Sequence, residues 1–183
     1  MAAVISQNMD MEVLRKSIAD IPLDVANINS AHQVVISGAA SAFPEAEVRL
    51  RAAYARDPGF RFVQLNVSAP FHSRFMKVIE DPFAHTLRAL GQHLAPAKGS
   101  KVTSNVTGAF HSEAADEIIS RLTAQLSNTV RWVDNMRGLA ARTDRIYEIG
   151  PGRPLRDFFK TIDATCISIT NLSTAERTFR EIN

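Results

Sequence analysis

His72 is the residue of this sequence best placed to do acid–base chemistry. It follows the loop Ser68-Ala69-Pro70-Phe71, which comes after an apolar strand-like segment and precedes a helical one. Loops that end strands often present functional side chains, and a histidine can act as a general base near neutral pH. A single histidine is more often a structural or solvated residue, so these residues alone leave both interpretations open.

The other reactive side chains form no second cluster in the sequence. Cys166, the only cysteine, stands in an apolar run, and we predict a buried strand residue because a reactive thiol needs an accessible, electropositive setting. One cysteine also excludes a disulfide within the chain, which fits a reducing compartment. His85, His93 and His111 lack cysteines or carboxylates at metal-ligand spacing, so no metal site is predicted.

The elements that would position His72 begin with a regular alternation over the first 65 residues. Apolar residues spaced three to four apart after Asp10 predict a capped helix, and period-two runs predict strands. The predicted strands are 2–6, 25–29, 33–37 and 60–65, and the predicted helices are 10–19 and 44–54. This β-α-β-β-α-β order is typical of a ferredoxin-like subdomain with one antiparallel sheet.

Beyond residue 66 the pattern changes to strands that alternate with helices, which favours a parallel sheet covered on both faces. The predicted helices are 73–94, 114–126, 132–141 and 154–161, and the predicted strands are 101–104, 145–149 and 166–170. Three strands are few for a free-standing sheet of this kind. We therefore predict an α/β chain in which residues 1–66 form a complete small subdomain and residues 67–183 form part of a larger one.

The composition is that of a globular protein with balanced charge. Of 183 residues, 45% are hydrophobic and 22% are charged, and the net charge is +2. Such a balance gives no field that would favour nucleic acid or a membrane surface as a partner. The chain has no apolar run of about 18 residues and no basic N-terminal segment followed by an apolar core. We expect a cytoplasmic protein.

Four segments, in order, resemble motifs of malonyl-CoA:acyl carrier protein transacylases and polyketide synthase acyltransferase domains. Residues 66–76, N-V-S-A-P-F-H-S-R-F-M, resemble the histidine motif, and residues 27–38 resemble the N-x-N-S…Q-V-V-I-S-G hairpin. Residues 129–132 resemble the N-P-V-x-W segment, with threonine where proline is usual. Residues 147–152 resemble the late E-x-G-P-G turn. The resemblance extends along nearly the whole chain.

The resemblance implies a fold, a reaction and its partners. The chain would comprise the family's ferredoxin-like subdomain and the C-terminal part of its α/β-hydrolase-like subdomain. It would move a malonyl group from malonyl-CoA to the phosphopantetheine thiol of an acyl carrier protein, with no metal and no cofactor of its own. A serine in a G-H-S-x-G elbow attacks the thioester and a histidine takes its proton. His72 matches that histidine, and the backbone carbonyl that orients it is expected at Arg131.

The sequence departs from the family's pattern at the nucleophile. No G-x-S-x-G occurs in the chain. In the family the serine, an oxyanion-hole glutamine and a carboxylate-binding arginine precede the small subdomain, with which this sequence begins. Ser68 and Ser73 are too close to His72 along the chain to replace the serine. We therefore expect an incomplete enzyme that requires a separate N-terminal half.

Three further residues receive roles from the resemblance. Phe71 would fill the space that the methyl group of methylmalonyl needs, so it implies a malonyl pocket. Arg61, eleven residues before His72, would face the mouth where CoA phosphates or the carrier protein approach. A solvated strand residue is an equal alternative for Arg61. Asn29 is expected to line the cleft between the subdomains, although asparagine also favours turns.

Two alternatives to malonyl transfer remain open at this point. The chain could be a non-catalytic relative of acyltransferases that binds a carrier protein or scaffolds a synthase. It could also be part of a hydrolase that releases acyl groups from a carrier protein to water. Comparing thiol transfer, free-acid release and carrier-protein binding separates the three functions.

Overall fold

The computed structural model of the protein describes residues 1–180. The chain divides into two compact units, Met1–Asn135 and Met136–Asn183. The boundary predicted at residue 66 falls within the first unit and stays a prediction. Within the described residues, no helix has both the length and the apolar character needed to cross a bilayer.

The first unit opens with the predicted βαββαβ arrangement. Its strands are β1 (Ala2–Ile5), β2 (Leu23–Ser30), β3 (Gln33–Gly38) and β4 (Arg61–Gln64), and its helices are α1 (Met11–Ile18) and α2 (Phe43–Ala53). The sheet order is β2-β3-β1-β4, and all neighbours are antiparallel. β2 and β3 form the predicted hairpin, and their connection is two residues long because β2 extends through Ser30. The first strand therefore lies inside the sheet, between β3 and β4.

One face of this sheet is covered by the two helices. Asp10 caps α1 through hydrogen bonds from the backbone N–H groups of Glu12 and Val13, so the helix begins where the sequence predicts. Leu14 and Ile18 point from α1 into the core. The buried set also includes Val4, Leu23, Val34, Ile36, Phe43, Ala46 and Leu50. A smaller cluster of Ala3, Ala26 and Val35 is also buried.

The rest of the first unit is helical and less regular than predicted. The expected helix over 73–94 is divided into a 3₁₀ helix at Arg74–Ile79, α3 at Glu80–Ala89 and a 3₁₀ turn at Gly91–His93. Pro82 explains the first break because proline is tolerated in the first turn of a helix but not in its interior. The next helices, α4 (Ala115–Ala124) and α5 (Trp132–Ala140), lie close to their predicted positions.

The predicted strand at 101–104 is wrong. Residues Pro96–Lys101 form a 3₁₀ helix, and only a single bridge follows, between Thr103 and Phe110. Gly99 packs so closely that an added Cβ would lie 2.2 Å from the Ser112 carbonyl oxygen. The backbone of this segment therefore pairs within a local loop, and the segment is not part of a sheet.

The second unit contains a parallel pair of strands, as predicted. β5 (Ile146–Ile149) pairs with β6 (Cys166–Ile169), and α6 (Pro154–Lys160) connects them. Cys166 is buried, with 5% of its surface exposed. The described residues end with a helix that the sequence analysis did not predict, α7 (Leu172–Arg180).

Candidate active site

His72 is held in an unusual backbone conformation. Its φ is 58°, in the left-handed region that non-glycine residues rarely adopt. Its backbone N–H donates to the carbonyl oxygen of Leu126 at 3.0 Å, and the buried Ser73 hydroxyl donates to the carbonyl of Pro70 at 2.5 Å. Backbone strain of this kind costs of order 1–3 kcal/mol and concentrates at functional sites. The strain motivates a functional hypothesis for His72.

The imidazole ring of His72 is oriented by a backbone carbonyl. Its Nδ1 lies 2.6 Å from the carbonyl oxygen of Gln125, at the end of α4. A carbonyl can only accept a hydrogen bond, so Nδ1 carries the proton in the neutral ring. Nε2 then carries the lone pair, which is the arrangement that a general base needs.

The carbonyl belongs to Gln125, and the prediction of Arg131 is wrong. The carbonyl of Arg131 accepts from the backbone N–H of Asn135 at 3.1 Å, which is the first hydrogen bond of α5. It is therefore engaged in its own helix. The carbonyls of Gln125 and Leu126 remain for His72 because they end α4.

His72 opens onto a cleft of about 380 Å³ within the first unit. Much of its wall is polar, and the polar residues come from α1, β2, the histidine loop and the segment after α4. They are Arg15, Asp24, Arg74, Ser127, Asn128 and Thr129. A polar cleft of this size beside an oriented base can hold part of a substrate.

Arg74 and Asp24 form the ion pair of this cleft. The backbone N–H of Arg74 donates to Asp24 Oδ2 at 2.8 Å, and its Nε donates to Oδ1 at 2.9 Å. Burial disfavours the charged Asp24 carboxylate, but the Arg74 hydrogen bonds and charge outweigh it and lower the pKa of Asp24. The same contacts raise the pKa of Arg74. The pair ties the histidine loop to β2.

Comparisons with known proteins give one consistent result, although no family model matches the chain. The malonyl CoA-acyl carrier protein transacylase of Staphylococcus aureus strain MSSA476 is 31% identical over 181 residues, which is 96% of this chain and 56% of the relative. The polyketide biosynthesis protein ThaF of Burkholderia thailandensis is 34% identical over 142 residues, covering 76% of this chain and 11% of that protein.

A solved structure agrees over nearly the whole chain. The malonyl-CoA:acyl carrier protein transacylase of Xanthomonas oryzae pv. oryzae has a TM-score of 0.81 and 26% identity, covering 97% of this chain and 56% of that one. Over nearly its whole length the chain is similar to malonyl-CoA:acyl carrier protein transacylases. It spans little more than half the length of the transacylases that it matches.

Five site residues were predicted for this chain, and all five lie in the part that the structure describes. Of these five, only His72 lines the cleft. Phe71 is 39% exposed, and Arg61 is exposed at the start of β4. Asn29 is half-buried within β2, and Arg131 is exposed at the start of α5. His72 therefore lies at the cleft, and the other four residues remain predictions for which the structure gives a position and an exposure.

Gln125 and Arg74 of this chain were not predicted from the sequence as site residues. Arg74 stands two positions after His72 in the histidine motif, so its proximity was a usable signal. Gln125 is 53 residues from His72 along the chain and contacts it through a backbone carbonyl. Every residue has such a carbonyl, so the residue type gives no signal of this contact. Among residues 1–180, no group of three or more histidine, cysteine or acidic side chains could hold a metal ion.

The glutamate of the E-x-G-P-G motif in this chain has a structural role in the second unit. Glu148 is buried and accepts from the backbone N–H groups of Leu155 and Arg156 at 2.9 and 3.0 Å. It also accepts from the Ser168 hydroxyl at 3.1 Å. One carboxylate therefore satisfies the N-terminus of α6 and joins β5 to β6.

Proposed function

We propose that this chain supplies the general base for malonyl transfer from CoA to the phosphopantetheine thiol of an acyl carrier protein, in fatty acid or polyketide biosynthesis. The observation that supports it best is the 2.6 Å contact between His72 Nδ1 and the Gln125 carbonyl, which leaves Nε2 free to accept a proton. The names of the relatives supply the substrate and the carrier, malonyl-CoA and acyl carrier protein. The proposed reaction requires no cofactor besides these substrates.

The reaction needs a serine that this sequence does not place in a G-x-S-x-G elbow. A separate N-terminal half would provide it, together with an arginine that binds the malonyl carboxylate. His72 Nε2 takes the serine proton as the serine oxygen bonds to the thioester carbonyl, and the imidazolium returns that proton to the departing CoA thiolate. The carrier thiol then repeats the cycle on the acyl-serine and regenerates the free hydroxyl.

The remaining site residues take supporting roles in this proposal. Residues 1–66 act as the small subdomain and residues 67–183 as the C-terminal portion of the large one. Phe71 excludes a substrate methyl group and so favours malonyl over methylmalonyl. Arg61, exposed on β4, contacts CoA phosphates or the carrier protein, and Asn29 contacts substrate from β2.

Complementation tests this function. The chain is combined with a separate polypeptide that carries the family's G-H-S-x-G elbow, and transfer of radiolabelled malonyl to holo acyl carrier protein is measured. His72→Ala should reduce the rate by about 10²–10⁴-fold, as expected for loss of a general base. His85→Ala, which removes an exposed histidine from α3, should leave it unchanged. Transfer at an undiminished rate by the His72→Ala complex would overturn the proposal.

A non-catalytic carrier-protein-binding module is the second candidate, and the exposed Arg61 on β4 supports it. Binding of acyl carrier protein by the chain, with no transfer in the complemented mixture, would support this candidate over catalysis. The same assay separates transfer from hydrolysis. Release of free malonate in place of malonyl-carrier protein would indicate that water is the acceptor.

A further inference from the structure

Three side-chain amides lead from the interior of the first unit to the carbonyl that orients His72. Asn135 Nδ2 donates to Asn105 Oδ1 at 3.0 Å, and Asn105 Nδ2 donates to Gln125 Oε1 at 3.2 Å. The backbone carbonyl of Gln125 contacts His72 Nδ1. The side-chain hydrogen bonds run in one direction, from Asn135 to Asn105 and from Asn105 to Gln125. We call this series the amide chain.

This arrangement is costly at its inner end. Asn135 has no exposed surface, and its Oδ1 is buried without a hydrogen-bond partner. An unsatisfied buried acceptor is unfavourable, and an apolar residue there would avoid the cost. The cost fits a role in which the Asn135 amide directs its donor at Asn105.

The loop that carries Asn105 is also held tightly. The Asn105 carbonyl accepts from the backbone N–H of Arg131 at 2.8 Å. Gly108, in the same loop, has a φ of 67°, and an added Cβ would lie 2.4 Å from the Asp134 Cβ. Two independent contacts therefore fix Asn105 against the segment that begins α5, and its amide can position Gln125.

We propose that Asn105 and Asn135 are positioning residues that set the tautomer of His72 through Gln125. They hold the end of α4 so that its carbonyl meets Nδ1, which keeps the proton on Nδ1 and the lone pair on Nε2. Without the amide chain, the Gln125 carbonyl loses its fixed position and the ring gains access to the opposite tautomer. This inference rests on the proposed role of His72 as the general base.

The test reads the His72 ring directly and needs no activity. The chain is labelled with ¹⁵N-histidine, and long-range ¹H–¹⁵N correlation spectra at pH 8 give the ratio of the Nδ1–H to the Nε2–H tautomer. The native chain should show mainly Nδ1–H. Asn105→Leu should lower that ratio by about tenfold, the value of about one hydrogen bond. Thr107→Val, which removes a local hydrogen bond from the same loop, should leave it unchanged.

A second variant covers the case in which Asn105→Leu does not fold. Gln125→Met keeps the backbone carbonyl but removes the side-chain acceptor at a partly exposed position, and it should lower the ratio to a similar extent. If both single variants fold, the double variant should show no further change because both remove the same bond. An unchanged ratio in folded Asn105→Leu or Gln125→Met, or an equal change in Thr107→Val, would overturn the inference. Failure of malonyl transfer in the complemented mixture would not affect this result.

Discussion

The orientation of His72 is set by contacts to uncharged backbone groups. Its backbone N–H and its Nδ1 are held by two consecutive carbonyls, those of Leu126 and Gln125. The backbone and the ring of His72 are therefore both fixed by the end of α4.

The pair of Asp24 and Arg74 makes a prediction about pH at the residue scale. The pKa of Asp24 is lowered in the folded state. The pair therefore stabilises the fold fully above the unfolded pKa of about 3.9, and this stabilisation is lost progressively as the pH falls from there through the lower folded pKa. Asp24→Asn should lower the free energy of unfolding by about 1 kcal/mol at pH 7, a value reduced for the 62% exposed Arg74 side chain. Urea unfolding at pH 7 and pH 3 measures the difference.

Asp20→Asn is the matched control for that experiment. Asp20 also pairs with an arginine, Arg49, but its side chain is 68% exposed. Its replacement should change the unfolding free energy little at pH 7 because exposed ion pairs contribute little. An Asp24→Asn variant that stays less stable than the native chain by the same margin at pH 3 would contradict the assignment of the effect to charge.

At the scale of secondary-structure elements, Glu148 joins three segments of the second unit. Glu148→Leu leaves two backbone N–H groups of α6 and the Ser168 hydroxyl without their acceptor. We expect a loss of about 2–4 kcal/mol in the stability of this unit, given the cost of unsatisfied buried donors. Hydrogen exchange at the amides of Leu155 and Arg156 should become faster.

The control for Glu148 lies on α7. Glu176→Leu removes a carboxylate whose side chain is 56% exposed and whose ion pair with Arg180 is on the helix surface. Exchange at Leu155 and Arg156 should not change in this variant. If Glu148→Leu leaves both amides protected to the native extent, the carboxylate is not what holds the start of α6.

The elements also show which parts of the fold can be predicted from sequence. The order of β1 to β4 follows from local signals, namely the Asp10 cap, the period-two strands and the short turn before Gln33. The segment 101–104 has strand-like residues but no sheet beside it, and strand formation depends on a partner. α7 has few apolar residues, and the cap that Asn171 provides for it through Thr174 is a weak signal.

The site was predictable only where side chains carry the chemistry. His72 was identified by its loop and its motif, and the structure describes an oriented ring there. Gln125 acts through a backbone carbonyl. The amide chain from Asn135 depends on contacts between residues 20 and 30 positions apart. Such contacts follow from packing, which a single sequence does not record.

At the scale of the whole molecule, the sheet of the first unit depends on β1, one of its two interior strands. Val4 in β1 has no exposed surface, and β1 pairs with both β3 and β4. Val4→Asp places a charge in the core and should cost more than about 4 kcal/mol, enough to unfold the sheet. Loss of the cooperative thermal transition, followed by circular dichroism, measures this.

Val63→Asp is the matched change on the outer strand. Val63 is 43% exposed on β4, so the same substitution there should alter the stability by only about 0.5 kcal/mol. A Val4→Asp chain that melts cooperatively at the native temperature would show that β1 does not hold the sheet together.

The interior position of β1 also sets the order of events during synthesis. Ala2–Ile5 leaves the ribosome well before Arg61–Gln64, its partner on one side, and at about 5–20 residues per second the interval is roughly 3–12 s. During that time the apolar segment A-A-V-I lacks one of its two neighbours. Until β4 emerges, one edge of β1 presents unpaired backbone N–H and C=O groups that can pair with another chain.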